Sequence, residues 1–247
     1  MIKTTLPIKY WNDNNTINIS PEDENGRKIE VAYFSGVQFV GHSIHYPQPL
    51  LYTNNNLILP TKEKFMSLGR GTVYEDTMMY DIKLKNIESV HDDFVYYFVY
   101  NTSNYFHFIY DTLPYLYGYF NQKNYISNLK LLVSPPEGKE DLYPFVWDTL
   151  ELLGITRDDV VFLDDKVKYE IVIVGSSLTH DGLSDAPPHK GIFDIINRMR
   201  GYYEGVEKIY ISRRSWIHNN KDNIGTDYTE KRRCINEDDV VSIFKQR

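Results

Sequence analysis

Apolar residues along this chain fall into three regimes. Positions 1–30 are dominated by Asn, Asp, Glu and Lys around Pro21 and Gly26, which predicts a polar opening segment with little core of its own. From 31 to 61 the apolar residues gather into short runs rich in β-formers, VAYFSGVQFVG, PLLYT and LILPT. Asn54 to Asn56 separate the last two runs as a hairpin turn would, so a small antiparallel β region is expected here. Beyond Asp93 the elements alternate. Residues 94–100 read as a buried strand, 103–120 as a helix, 129–133 as a strand, and 141–153 as a helix closed by Gly154. Strands at 160–163 and 169–174 follow, then a loop over 176–190 with Gly182, Pro187 and Pro188, then a helix at 191–203.

That rhythm predicts an α/β fold with a mostly parallel sheet and helices on its faces. A new strand at 208–212 leads to Asn236, which can cap a last helix carrying Glu237, Asp238 and Asp239 in its first turn. The expected organisation is an opening segment (1–30), an α/β domain (31–205) and the beginning of a second domain (206–247).

Composition narrows the function classes. With 42% hydrophobic and 25% charged residues, the 247-residue chain has the balance of a globular protein. Acidic residues outnumber basic ones, 34 to 27, for a net charge of −7, which argues against a nucleic-acid partner. One cysteine, Cys234, cannot close an intrachain disulfide and fits a reducing, cytoplasmic setting. The longest strongly apolar run, 94–100, is far short of the ~20 residues that span a bilayer. Residues 1–11 show no secretory apolar core.

The strongest chemical candidate is NTSNYFHFIYDTLPYL, residues 101–116. At about 100° per residue, Asn104, His107 and Asp111 fall on one arc of a helix, with Phe106, Ile109, Leu113, Leu116 and Phe120 opposite. The stretch follows a predicted central strand, where open α/β sheets place their ligands. Pro114 removes the donor that the Tyr110 carbonyl would accept, so a kink beside Asp111 is expected. A purely structural role stays open: Asn104 and His107 could satisfy local backbone, and Asp111 could cap a second short helix. The second candidate is KIYISRR, residues 208–214, with Arg232 and Arg233 downstream. Forked guanidiniums at a strand end suit phosphate oxygens, although exposed arginine pairs are also ordinary solvated surface. No Asp-x-Asp, glycine-rich nucleotide loop, Gly-x-Ser-x-Gly or Cys-x-x-Cys occurs. His180, His189 and His218 lie in predicted loops without metal-ligand spacing.

Taken together, NYFHFIYDTLPYL, the KIYISRR strand and the Arg followed by INEDDVV resemble the pattern of glycosyltransferase family 61 over roughly 31–244. The resemblance implies a GT-B-like enzyme whose two Rossmann-like halves enclose a cleft, transferring a sugar from a nucleotide sugar to a glycan or other hydroxyl acceptor. It implies inversion at the anomeric carbon and no metal ion or other cofactor. Asp111 is the first choice for the base that takes the acceptor proton and His107 the second. Asn104 would bind acceptor or sugar hydroxyls, while Arg213, Arg214 and Arg233 would neutralise the diphosphate. The family's later His-Gly-Ala-Gly-like loop has no counterpart before Arg247. The chain is therefore expected to carry only the start of a donor domain. The alternative is a non-catalytic truncated or split-gene remnant that binds a glycan or pairs with a separate chain supplying the donor half. A glycoside hydrolase would need a second carboxylate across a cleft, and Asp111 has no identifiable partner of that kind in the sequence.

Overall fold

The computed structural model describes residues 6–11, 16–22, 28–40, 50–60, 84–136, 138–179 and 188–200. All belong to one compact unit within Met1–Tyr202. The strand expected at 208–212, the helix after Asn236 and the whole 206–247 region lie outside the described residues.

The fold is mixed α/β, built on one sheet. Its strands are β1 (Ile8–Trp11), β2 (Thr16–Asn18), β3 (Glu30–Val40), β4 (Leu50–Thr53), β5 (Asn56–Pro60), β6 (Ser89–Tyr97), β7 (Lys130–Val133), β8 (Val160–Phe162) and β9 (Val167–Gly175). They run in the order β1-β5-β4-β3-β9-β6-β7-β8, with β2 pairing β3 off that path. The block β9-β6-β7-β8 is parallel throughout. Its strands are apolar at consecutive positions, as strands covered on both faces must be: Val95, Tyr96 and Tyr97 on β6, Leu131 to Val133 on β7, and Val172 to Val174 on β9 are all buried.

The expected antiparallel region is present in β3, β4 and β5, and β3 also runs antiparallel along β9 from Val31 opposite Gly175 to Gln38 opposite Lys168, so both regions form one sheet. One expectation is corrected: the opening segment contributes more than a polar lead. β1 pairs with β5, β2 pairs with β3, and Ile29 is buried. Strands of four and three residues are too short to show a period, so pairing along neighbours created them rather than their own sequence.

Local signals elsewhere hold. The β4–β5 hairpin turns on Asn54 and Asn55 at φ +49° and +60°, the left-handed conformations that asparagine tolerates and a two-residue turn of this kind requires. The helices are α1 (Tyr105–His107), α2 (Leu116–Lys123), α3 (Pro144–Leu152) and α4 (Gly191–Arg200). α3 ends as Gly154 predicts: at φ +77° its N–H reaches the Glu151 carbonyl, and the Ile155 N–H reaches Leu150. Ile155 and Leu150 are both buried, completing the apolar contact of that motif.

The Tyr96 side chain fixes the helical segment to the sheet. Fully buried on β6, it donates its hydroxyl to the Tyr115 carbonyl at 2.8 Å. Its oxygen lies against Gly118 on α2 and Gly175 at the end of β9, so closely that a Cβ at either would fall well inside van der Waals contact. Burial, and secondarily the nearby Tyr115 phenol, keep Tyr96 protonated. Gly118→Ala is expected to cost about 1–3 kcal/mol by overpacking, and Tyr96→Phe about 1–3 kcal/mol by orphaning a buried acceptor. The two together should cost clearly less than their sum in urea unfolding, because the clash disappears with the hydroxyl. Strict additivity would show that Gly118 and Tyr96 do not meet.

Candidate functional site

β6 and β9 lie side by side and end together, so residues 98–104 and 176–179 share the carboxyl edge of the parallel block. The first of these segments is tied by its own side chains. The Asn101 carboxamide oxygen accepts from the Ser103 N–H, the Ser103 hydroxyl and the Asn104 N–H at 3.1–3.2 Å. The Thr112 hydroxyl donates to the Asn101 carbonyl at 2.9 Å, binding the turn to the helix that follows. Asn104 is the N-cap of α1, with extended dihedrals and its side-chain oxygen accepting the His107 N–H at 3.2 Å. The local capping role weighed for Asn104 is thus realised.

The helix after it is not a regular one. α1 gives way to a π-helical turn (Phe108–Thr112) and a 3-10 turn (Leu113–Tyr115) before α2 begins. The Leu113 N–H reaches back five residues to Phe108, and the Leu116 N–H three residues to Leu113. Pro114 brings no N–H to this ladder, and the hydrogen-bond spacing changes around it. The expected kink beside Asp111 takes this form.

This irregularity also corrects the helical-wheel reading. Leu113 and Leu116 are buried as expected, but Phe106 is 64% exposed while Phe108 is completely buried. A constant 100° step does not apply to a cap, one α turn and a π turn in succession. Phe106 instead stacks on Tyr110 at 5.7 Å and meets His107 edge-on at 5.4 Å. Tyr105, also exposed, packs edge-on against Phe145.

At the centre, His107 Nδ1 and Asp111 Oδ2 are 2.7 Å apart. The two residues are one helical turn apart, which lets the side chains meet. The carboxylate side chain is 12% exposed and the imidazole 33%. Asp111 does not cap the turn that follows: Thr112 holds that position and no side chain caps it. A carboxylate can only accept, so His107 Nδ1 donates and the basic lone pair of the neutral ring resides on Nε2.

Below lies a floor that sequence reasoning did not identify. The Tyr100 and Tyr115 rings stack at 3.9 Å, both buried, and neither hydroxyl meets a partner at hydrogen-bonding geometry. Burial is the main force raising the Tyr115 phenol. The approach of the Ser177 and Tyr100 hydroxyls pulls it back down, and the Asp111 charge pushes it up again. Ser177, just past β9, thus belongs to the same neighbourhood. Nothing in the local sequence marks these groups, because they converge only when β6 and β9 pair.

Among the described residues, no three His, Cys, Asp or Glu side chains converge as metal ligands would. His189 is buried and structural: its Nδ1 accepts the Gly191 N–H at 3.0 Å, and its own N–H reaches the Leu178 carbonyl at 2.7 Å. The structure therefore brings Asn104, His107 and Asp111 together. Arg213, Arg214, Arg233, His180 and His218 lie outside the described residues.

Long-range ¹⁵N–¹H spectra of the neutral His107 ring are expected to place its proton on Nδ1, and Asp111→Ala should return it to Nε2. A wild-type ring protonated on Nε2 would mean that the carboxylate does not orient it. No protein-family model matches this chain, and no curated protein matches it either.

Proposed function

We propose that this chain is the acceptor-side part of a sugar-transferring enzyme. Its parallel block is taken as the first Rossmann-like half of a GT-B-like pair, and 206–247 as the opening of the second half. The observation that carries the proposal is the 2.7 Å contact between His107 and Asp111 at the carboxyl edge of β6 and β9. It supplies an oriented base where an α/β sheet binds its ligands.

In the transfer, an acceptor hydroxyl attacks the anomeric carbon of a nucleotide sugar. The bond from that carbon to the phosphate oxygen breaks, and its electron pair leaves with the nucleoside diphosphate. The hydroxyl proton passes to His107 Nε2, and Asp111 stabilises the imidazolium that forms. Sequence reasoning ranked Asp111 ahead of His107 as the base. The bond already made by the carboxylate and its lower exposure favour the reverse order, with Asp111 orienting. The exposed Phe106–Tyr110 pair beside His107 offers an apolar face to a substrate ring. Asn104, whose oxygen caps the His107 N–H, is proposed to offer its side-chain N–H groups to acceptor or sugar hydroxyls, and Arg213, Arg214 and Arg233 are the cations proposed for the departing diphosphate, in place of a metal.

The test is sugar transfer from a panel of nucleotide sugars to glycan acceptors. His107→Ala and Asp111→Asn are each expected to lower turnover by about 10²–10⁴, the usual worth of a general base. Donor binding, read by thermal shift, should persist in both and weaken in Arg213→Ala. Turnover unchanged in both dyad variants would remove the dyad from the chemistry.

A further inference from the structure

A second surface on the same unit has the chemistry of a ligand site. Between α2 and α4 lies a cleft of about 480 Å³ whose lining includes Tyr117, Phe120, Asn121, Asn124, Asp194 and Asn197. A second cleft, of about 490 Å³, lies between the end of α2 and the residues around β2, and includes Asn18, Tyr33, Asn121, Gln122 and Tyr125. Asn121 lines both, so the two clefts are neighbours across the end of α2 and are taken together as one groove.

The lining mixes aromatic, aliphatic and carboxamide side chains. Tyr33, Tyr117 and Tyr125 supply rings, and Tyr125 is 80% exposed, a large apolar surface left open to solvent. Five aliphatic residues, Ile17, Ile19, Pro21, Ile126 and Ile195, stand beside five carboxamides. Gln122 is committed: its Oε1 accepts from the Tyr33 hydroxyl, and its Nε2 donates to Asn121 Oδ1 at 2.9 Å. The second bond engages the Asn121 oxygen, and the Asn121 side-chain N–H groups have no part in it. Asn18, Asn124 and Asn197 carry carboxamides that no described side chain engages. Each presents two donors and one acceptor.

Charge argues against strongly ionic ligands. Only Asp194 and Arg198 line the groove as ions, both in the first cleft, and the Arg198 guanidinium is laid over the Phe120 ring at 4.4 Å. The pair cancels, and among the described residues no cluster of cations exists there for phosphate or a polyanionic chain. A ligand suited to this lining has many hydroxyls that both donate and accept, flat apolar C–H faces, and no net charge.

We infer that the groove binds an unbranched, uncharged oligosaccharide, with sugar faces on the tyrosine rings and hydroxyls on the asparagine amides. The groove requires no transfer chemistry, so it stands or falls apart from the dyad. Saturation-transfer NMR on the full chain with maltohexaose, cellohexaose and xylohexaose is the test. At least one should receive saturation at its ring C–H protons. Tyr125→Ala should weaken binding of that sugar about fivefold, the equivalent of about 1 kcal/mol. Asn121→Ala should weaken it comparably, while Asp111→Asn leaves it unchanged. Both groove variants remove exposed or half-buried groups, and unchanged thermal unfolding will confirm that they fold. Transfer to none of the three sugars would overturn the inference, as would equal transfer in Tyr125→Ala, or preference for a hexagalacturonate or an extended peptide over all three.

Discussion

The Tyr96 hydroxyl holds the candidate site in register with the sheet. An irregular helical segment is a poor platform on its own, because changes of hydrogen-bond spacing leave it free to slide or unwind. Here a rigid ring from the centre of the parallel block donates to the Tyr115 carbonyl, within the segment and four residues beyond Asp111. Two glycines, one on each element, let the ring enter. Without side chains at Gly118 and Gly175, the backbone of α2 and the end of β9 can approach a single oxygen. The position of the dyad therefore follows from the packing of β6 and α2, its neighbours in the chain, against β9, which is distant from it in sequence.

That anchoring bears on the electrostatics. A carboxylate as little exposed as Asp111 is costly unless its oxygens are engaged, and the imidazole N–H meets that need. The phenols beneath remain neutral and add no competing charge. The Tyr100 and Tyr115 hydroxyls fall short of good hydrogen-bond geometry but lie near one another, and Ser177 lies near Tyr115, so the polar atoms of this floor gather in one place.

What the sequence disclosed, and what it hid, divides along the range of the interactions. The Asn54–Asn55 turn, the glycine stop after α3, the cap at Asn104 and the disturbance at Pro114 are decided within a few residues, and all were legible. The pairing of His107 with Asp111 was legible as a shared arc. Its surroundings were not: Phe106 was read as core because the wheel assumed one period throughout, whereas the segment has three. Tyr100, Tyr115 and Ser177 were invisible because nothing local distinguishes them from other buried or loop residues. The short strands β1 and β2 escaped for a related reason, since their structure is imposed by β5 and β3.

The dyad and the groove share their supports, which matters more than their separate chemistries. α2 begins just after the Tyr115 carbonyl that Tyr96 holds, and it carries Tyr117, Phe120 and Asn121 into the groove. The opposite wall, α4, is seated by His189 on the Leu178 carbonyl, three residues past β9. Gly191 at its start packs so closely on Leu178, Ile29 and Tyr117 that a methyl group there would press on all three. Helix ends fixed in this way move with the sheet rather than against it. A ligand held beside α2 would therefore rest on elements packed against the same sheet that positions the His107–Asp111 pair.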